Sequence, residues 1–84
     1  MPKVVLYCSP SCPYCARAEA LLAKKGVEVE KKNVDADPGL WDYIYETLDR
    51  ETVPQVIIND QPVGGYDDLA ALDAEGKLDE LLKD

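Results

Sequence analysis

Cys12 and Cys15 stand on either side of Pro13 and Tyr14, and two thiols at that spacing can be joined and parted by a two-electron reaction. On a helix, residues three apart share a face. Their Cα separation then falls within the roughly 4.4–6.8 Å that a disulfide requires, so the pair opens and closes without moving the backbone. The two sulfurs are not equivalent. Cys12 sits at the start of the helix, where unpaired backbone N–H groups and the positive end of the macrodipole converge and favour a thiolate. Cys15 lies one turn in, shielded, and keeps the higher pKa of the two. A ready nucleophile beside a resolving thiol is what thiol–disulfide exchange needs. Two unrelated buried cysteines are the plain alternative. A zinc site is the other, and it lacks a fourth ligand in a chain with three cysteines and no histidine.

For this geometry a helix must begin at the motif, and the flanking residues say that one does. Lys3–Tyr7 is a short, Val-rich β-type run ending at the turn-forming Cys8-Ser9-Pro10-Ser11. Ser11 or Cys12 takes the cap and Pro13 the first helical position, where its missing N–H costs nothing. The helix carries Ala16, Ala20, Leu21 and Ala23. It stops at Lys24-Lys25-Gly26, with cations in the last turn and a glycine for a left-handed residue beyond. Val27-Glu28-Val29-Glu30 alternates with period two and reads as a strand continuing toward Val34. Asp37-Pro38 opens a second helix, about Pro38–Asp49, with Leu40, Ile44 and Leu48 inward. Gln55–Ile58 is a strand, Asn59-Asp60-Gln61 a turn, and Pro62–Gly64 a short returning edge strand. Asp67 caps a last helix through Ala74, and Gly76 interrupts it before Leu78, Leu81 and Leu82. The order β-α-β-α-β-β-α closes most economically as an α/β fold, a four-stranded mixed sheet flanked by helices on both faces. Its first unit is a right-handed parallel crossover and its last two strands an antiparallel hairpin.

Composition narrows the chemistry further. The 84 residues make one domain, residues 1–84, and 46% hydrophobic with 31% charged residues is an ordinary globular balance. Phe is absent, so large core side chains must come from Leu, Val, Ile, Tyr and Trp41. Absent His excludes Cys–His and Ser–His–Asp catalysis. A net charge of −8, from 17 acidic and 9 basic residues, repels phosphate, so neither nucleic acid nor an anionic membrane is an expected partner. No run approaches the ~20 apolar residues of a membrane span, and the apolar stretch of Met1–Tyr7 is too short for a signal peptide. An odd number of cysteines suits a reducing cytoplasm better than a secreted disulfide framework, and a monomer is expected.

Three motifs stand in order along the chain: Tyr7-x4-Cys12-Pro13-Tyr14-Cys15, Thr52-Val53-Pro54-Gln55 and Gly64-Gly65-Tyr66-Asp67-Asp68-Leu69. Together they closely resemble the dithiol glutaredoxins of the thioredoxin-fold superfamily, over essentially the whole chain. The resemblance implies a thioredoxin-like fold and an enzyme that reduces protein disulfides and glutathione mixed disulfides. Glutathione would be the electron donor, with no bound cofactor or metal, and the partners would be disulfide-containing or glutathionylated proteins. It also implies roles. Cys12 would attack and Cys15 resolve. Pro54 would be a cis-proline facing the thiols, with Thr52 before it. It would present the Val53 backbone to the cysteine portion of glutathione or to a substrate strand by main-chain pairing. Gly65, Tyr66 and Asp67, with Asp68, match the segment that holds the γ-glutamyl end. There a helix start would meet its carboxylate and side-chain carboxylates its ammonium. Tyr14 would flank the thiols. On the residues alone, Pro54 opens a strand, Asp67 and Asp68 are helix caps, and Tyr14 is an exposed ring.

Three positions depart from the pattern. Ser9 stands where glutaredoxins usually carry Lys, and Trp41 matches a second-helix position that commonly offers Arg, Lys or Gln to the glycine carboxylate. Charge-assisted contacts contribute roughly 1.5–3 kcal/mol each, so losing two predicts glutathione recognition weakened about a hundredfold or more. Arg50 is the nearby cation left, either a carboxylate partner or a solvated helix-end charge. These changes leave open another donor, a thioredoxin-reductase-type flavoenzyme or a different small thiol. Cys8 completes Cys8-x3-Cys12-x2-Cys15, the spacing of radical-SAM iron–sulfur proteins, whose barrel 84 residues cannot supply. It reads as a small hydrophobe ending a strand, and a Cys8–Cys12 bridge would need a loop that bends back. A last reading, of another class, is an iron–sulfur carrier ligated through Cys12 with glutathione. Pro13 argues against it.

Overall fold

A sheet order of β2-β1-β3-β4 places the first strand in the middle of the molecule. The computed structural model describes residues 3–82. Met1 and Pro2, part of the stretch weighed above as a leader, lie outside the described residues, as do Lys83 and Asp84. Along the chain come β1 (Val4–Cys8), α1 (Pro13–Lys24), β2 (Val29–Asn33), α2 (Leu40–Glu46), β3 (Gln55–Ile58), β4 (Gln61–Gly64), α3 (Tyr66–Ala74) and α4 (Lys77–Leu81). β1 runs parallel to β2 and antiparallel to β3, and β3 and β4 form an antiparallel hairpin. This is the thioredoxin-like α/β arrangement expected above, with the last helix divided in two.

Central β1 has no polar alternation because both of its faces are covered. Val4 and Leu6, with Val56 and Ile58 of β3, pack against Ala18 and Leu22 of α1, Leu69 of α3 and Leu78 of α4. Val5, Tyr7 and Ile57 point the other way and pack against Val34, just past β2, and Ile44 of α2. Leu6, Leu22, Ile44, Leu69 and Leu78 are wholly removed from solvent. Each such side chain contributes about 1.5–3 kcal/mol of burial, so the dithiol helix is held by its inner stripe rather than by propensity.

Several boundaries differ from the sequence reading. On α1 the inward residues are Cys15, Ala18 and Leu22, whereas Ala16, Ala20 and Ala23 face solvent. Alanine suits either face, so it carries little periodic signal. β1 starts at Val4 and ends at Cys8, and β2 starts at Val29 while Val27 packs against the core beside it. α2 is shorter than Pro38–Asp49. Asp37 accepts the Gly39 N–H at 3.2 Å in a turn that precedes the helix. Asp49, at φ +55, lies past its end. The Leu40, Ile44 and Leu48 stripe still faces inward. Asn59 and Asp60 both take positive φ, the conformation of a two-residue hairpin turn, so Gln61 belongs to β4. α3 begins at Tyr66, and its cap is Gly65 rather than Asp67: the Asp68 carboxylate accepts the Gly65 N–H at 3.2 Å. Gly76, at φ +76, separates α3 from α4. Among the described residues, no helix is long and apolar enough to cross a membrane.

Candidate active site

Between β1 and α1 the chain makes a tight turn, the Cys12 N–H bonding to the Ser9 carbonyl at 3.0 Å. Cys12 is left as the cap of α1, in extended backbone, with Pro13 at the first helical position. Its carbonyl accepts the N–H groups of Cys15 at 3.2 Å and Ala16 at 3.4 Å. This is the local geometry that the Ser-Cys-Pro order dictates: a half-exposed sulfur at the helix end, and a second one turn inside.

The second thiol is shielded, as expected. Cys15 is 4% exposed, Cys12 is half-buried, and both are free thiols, as is Cys8. Burial pushes the Cys15 thiol up to about 12, with its hydrogen bond to Cys12 and the charges of Cys12 and Cys8 adding to the rise. The Ser9 N–H, 3.4 Å from the Cys15 sulfur, acts against that rise. Cys15 therefore stays protonated at neutral pH. Burial also raises the Cys8 thiol above its ordinary value, with Glu19 adding to the effect and Lys31 opposing it. Cys8 packs against the α1 side of the core and lines a hollow of about 280 Å³ with Cys12, Cys15, Glu19 and Lys31.

On the other side of the dithiol, the Cys12 thiol donates to the Val53 carbonyl at 3.6 Å. The Val53–Pro54 peptide is cis. Val53 and Pro54 belong to a groove of about 330 Å³ that also receives Thr52, Tyr14, Gly65, Tyr66, Asp67 and Asp68. Every residue that the resemblance assigned to glutathione thus lines one hollow. Tyr14 of α1 and Tyr66 of α3 approach across it with ring centroids 6.2 Å apart, and the Arg17 guanidinium lies 5.2 Å from the Tyr14 ring centre. The glycines allow the close approach. Gly64 is at φ +117, and a Cβ there would overlap the Asp68 carboxylate; one on Gly65 would stand 3.4 Å from the Pro54 carbonyl.

Two groove residues were missed or left undecided above. Gln55, 2% exposed, donates to the Thr52 carbonyl at 2.9 Å and so holds the loop before β3 in shape. Its place directly after Val53-Pro54 was the available signal. Arg50 lines the groove and is its only cation among the described lining residues. Trp41 does not line it. Its ring packs against the α2 side of the core and stacks on Tyr45 at 5.5 Å. Ser9 is buried away from the groove, its hydroxyl bound to Asp35. Among the described residues, no cluster of three or more Cys, Asp or Glu side chains is placed to hold a metal ion.

Comparison with known proteins agrees with this geometry. Residues 4–63 match the family model described as Glutaredoxin. Glutaredoxin 3 of Escherichia coli strain K12 is 46% identical over 83 residues, covering 99% of this chain and 100% of the relative. A glutaredoxin of Pseudomonas aeruginosa is 46% identical over 82 residues, 98% of each chain. Among solved structures, a dithiolic glutaredoxin of Trypanosoma brucei brucei superposes with a TM-score of 0.90 at 44% identity, over 96% of this chain and 87% of that one. A glutaredoxin of Brucella melitensis gives 0.85 at 52% identity, over 96% and 88%.

Proposed function

The chain belongs to the glutaredoxin family, whose members are glutathione-dependent thiol–disulfide oxidoreductases, and we propose on that footing that Cys12 attacks and Cys15 resolves. On a glutathionylated protein, the Cys12 thiolate bonds to the glutathione sulfur and the protein thiolate departs and takes up a proton. A second glutathione then frees Cys12, leaving as glutathione disulfide. On a protein disulfide, Cys12 first forms a mixed disulfide with one sulfur. Cys15 then attacks the Cys12 sulfur, the second substrate thiol is released, and two electrons have passed to the substrate. Two glutathione molecules return the Cys12–Cys15 disulfide to the dithiol.

The observation that carries this reading is the Cys12 thiol on the Val53 carbonyl, at the edge of a groove lined by all of the assigned residues. The cysteine portion of glutathione would pair with the Val53 backbone beside Thr52 and Pro54. Its γ-glutamyl carboxylate would meet the N–H groups of Tyr66 and Asp67 at the start of α3, beside Gly65, and its ammonium the carboxylates of Asp67 and Asp68. Arg50 would take the glycine carboxylate, and Tyr14 would cover the sulfur. The remaining proposed partners are disulfide-bearing and glutathionylated proteins, met in a reducing cytoplasm by a monomeric domain of residues 1–84. A net charge of −8 disfavours nucleic acid and anionic membranes.

Ser9 favours a second reading of the donor. Its hydroxyl is tied to Asp35, so position 9 offers no cation beside the dithiol. A thioredoxin-reductase-type enzyme or another small thiol would then supply the electrons. The discriminating experiment is turnover of a small glutathione mixed disulfide. It is driven first by glutathione with glutathione reductase, then by thioredoxin reductase with NADPH. Activity mainly with glutathione supports the groove assignment, and activity mainly with the flavoenzyme supports the change of donor.

A further inference from the structure

A chain of hydrogen bonds runs from the end of β2 to the Cys15 sulfur, and the exchange chemistry above gives it no task. Ser9 is 8% exposed although polar. Its hydroxyl has one proton, which it donates to Asp35 Oδ2 at 2.6 Å. In the contact with Ser11 at 3.0 Å, the Ser11 hydroxyl must then be the donor. Asp35 is itself anchored: its N–H donates to Asn33 Oδ1 at 2.9 Å, and the preceding Val34 N–H bonds to the Cys8 carbonyl at 2.9 Å. With its side chain held in this way, Ser9 directs its own N–H at Cys15 Sγ, 3.4 Å away.

We propose that Asp35 is a positioning residue for the resolving step, acting through the Ser9 hydroxyl to hold the Ser9 N–H on the Cys15 sulfur. An N–H aimed at a sulfur is worth most when that sulfur carries negative charge. Cys15 does so as it attacks. It gives its proton to solvent, its sulfur bonds to that of Cys12, and the bond from Cys12 to the substrate sulfur breaks. The substrate leaves as a thiolate that takes up a proton, and the dithiol has become a disulfide. The same N–H serves Cys15 as a leaving group when the disulfide is reopened. Cys12 gains nothing from it in the first attack, because the N–H does not face that sulfur. The proposal rests on the division of labour between Cys12 and Cys15 set out above.

The test mixes reduced protein with glutathione disulfide, quenches with acid, and follows two species by intact mass. One is the Cys12–glutathione adduct, formed by Cys12. The other is the internal disulfide, formed from the adduct by Cys15 with release of glutathione. Asp35→Ala is expected to slow the second conversion about fivefold, on the order of one net hydrogen bond, and to leave formation of the adduct unchanged. Ser9→Ala should do the same, Ser9→Thr should retain the rate by keeping a hydroxyl, and the double alanine variant should be no slower than either single one. Equal slowing of both steps would assign Asp35 a general role in loop structure and overturn the proposal. An unchanged second step would also overturn it. Cys15→Ser, with Asp35 intact, should accumulate the adduct. If it does not, the division of labour fails first, and this proposal falls with it.

Discussion

Across 3.6 Å, the Cys12 thiol donates to the Val53 carbonyl, joining the cap of α1 to the loop before β3 over 41 residues of chain. The contact sets Cys12, the proposed nucleophile, beside the backbone that a substrate strand or glutathione would pair with. Cys15, hydrogen-bonded to Cys12, is buried behind it. The two sulfurs stand in different solvents, and the chemistry follows from that difference.

Cys12→Ser should abolish turnover of both glutathione mixed disulfides and protein disulfides. Cys15→Ser should retain the first and lose the second, because only the second needs an internal thiol to release the substrate. Steady-state assays of the two substrates in parallel decide it. Equal loss of both in Cys15→Ser would remove the distinction between attacking and resolving thiols.

The buried Cys15 thiol also makes a prediction about stability. Its folded pKa of about 12 lies above the ordinary 9.0, so the folded state binds the proton more tightly than the unfolded one. The contribution is fully present below pH 9.0 and is lost as pH climbs toward about 12. Urea midpoints of the reduced protein should therefore fall across that window more steeply than those of Cys15→Ala. Parallel slopes would show that Cys15 is no more buried than the unfolded chain leaves it.

Arg50→Ala should raise the KM for glutathione by roughly tenfold, the loss of one charge-assisted contact to a carboxylate. Trp41→Ala should leave that KM unaltered and lower stability instead, since Trp41 packs against the core and stacks on Tyr45. Thermal melts alongside glutathione titrations separate the two effects. A KM that responds to Trp41 and not to Arg50 would reverse the assignment of the glycine carboxylate.

Gly64→Ala meets two obstacles. The residue lies at φ +117, and a Cβ there would overlap the Asp68 carboxylate that caps α3. A loss of about 1–3 kcal/mol in stability is expected, together with weaker glutathione binding as the start of α3 shifts. Chemical denaturation and a glutathione KM measure the pair. A Gly64→Ala protein of ordinary stability with a normal KM would show that the turn can give without disturbing the groove.

Much of this was written in local sequence. Pro13 after Cys12 marks a helix start locally, because its missing N–H and fixed φ suit the first helical position. Asn59-Asp60 specifies a hairpin for the same reason: the two residues tolerate the positive φ values that the turn needs. The Leu40, Ile44 and Leu48 stripe faced inward although α2 proved shorter than its signals, since the spacing of apolar residues outlasts the exact helix ends. These signals, with the three motifs, were sufficient for the order of elements, the mixed sheet and the lining of the groove.

What they could not supply depends on residues far apart in the chain. Nothing local makes β1 central, because pairing of β1 with β3 is decided by which apolar faces the whole chain can cover at once. The alanines of α1 fit either side, and only packing against the sheet put Ala18 inside and Ala16 outside. Position along α2 matched Trp41 to a glutathione contact. The rotation of that helix, set by burying Ile44, turned Trp41 onto the core, and the turn after the helix, where the Arg50 N–H bonds to the Ile44 carbonyl, put Arg50 in the groove. Ser9 looked like a missing lysine. Folding β2 beside β1 brought Asp35 to its hydroxyl. Local chemistry chose the conformations; burial of shared apolar surface, which acts at any distance in sequence, chose the neighbours.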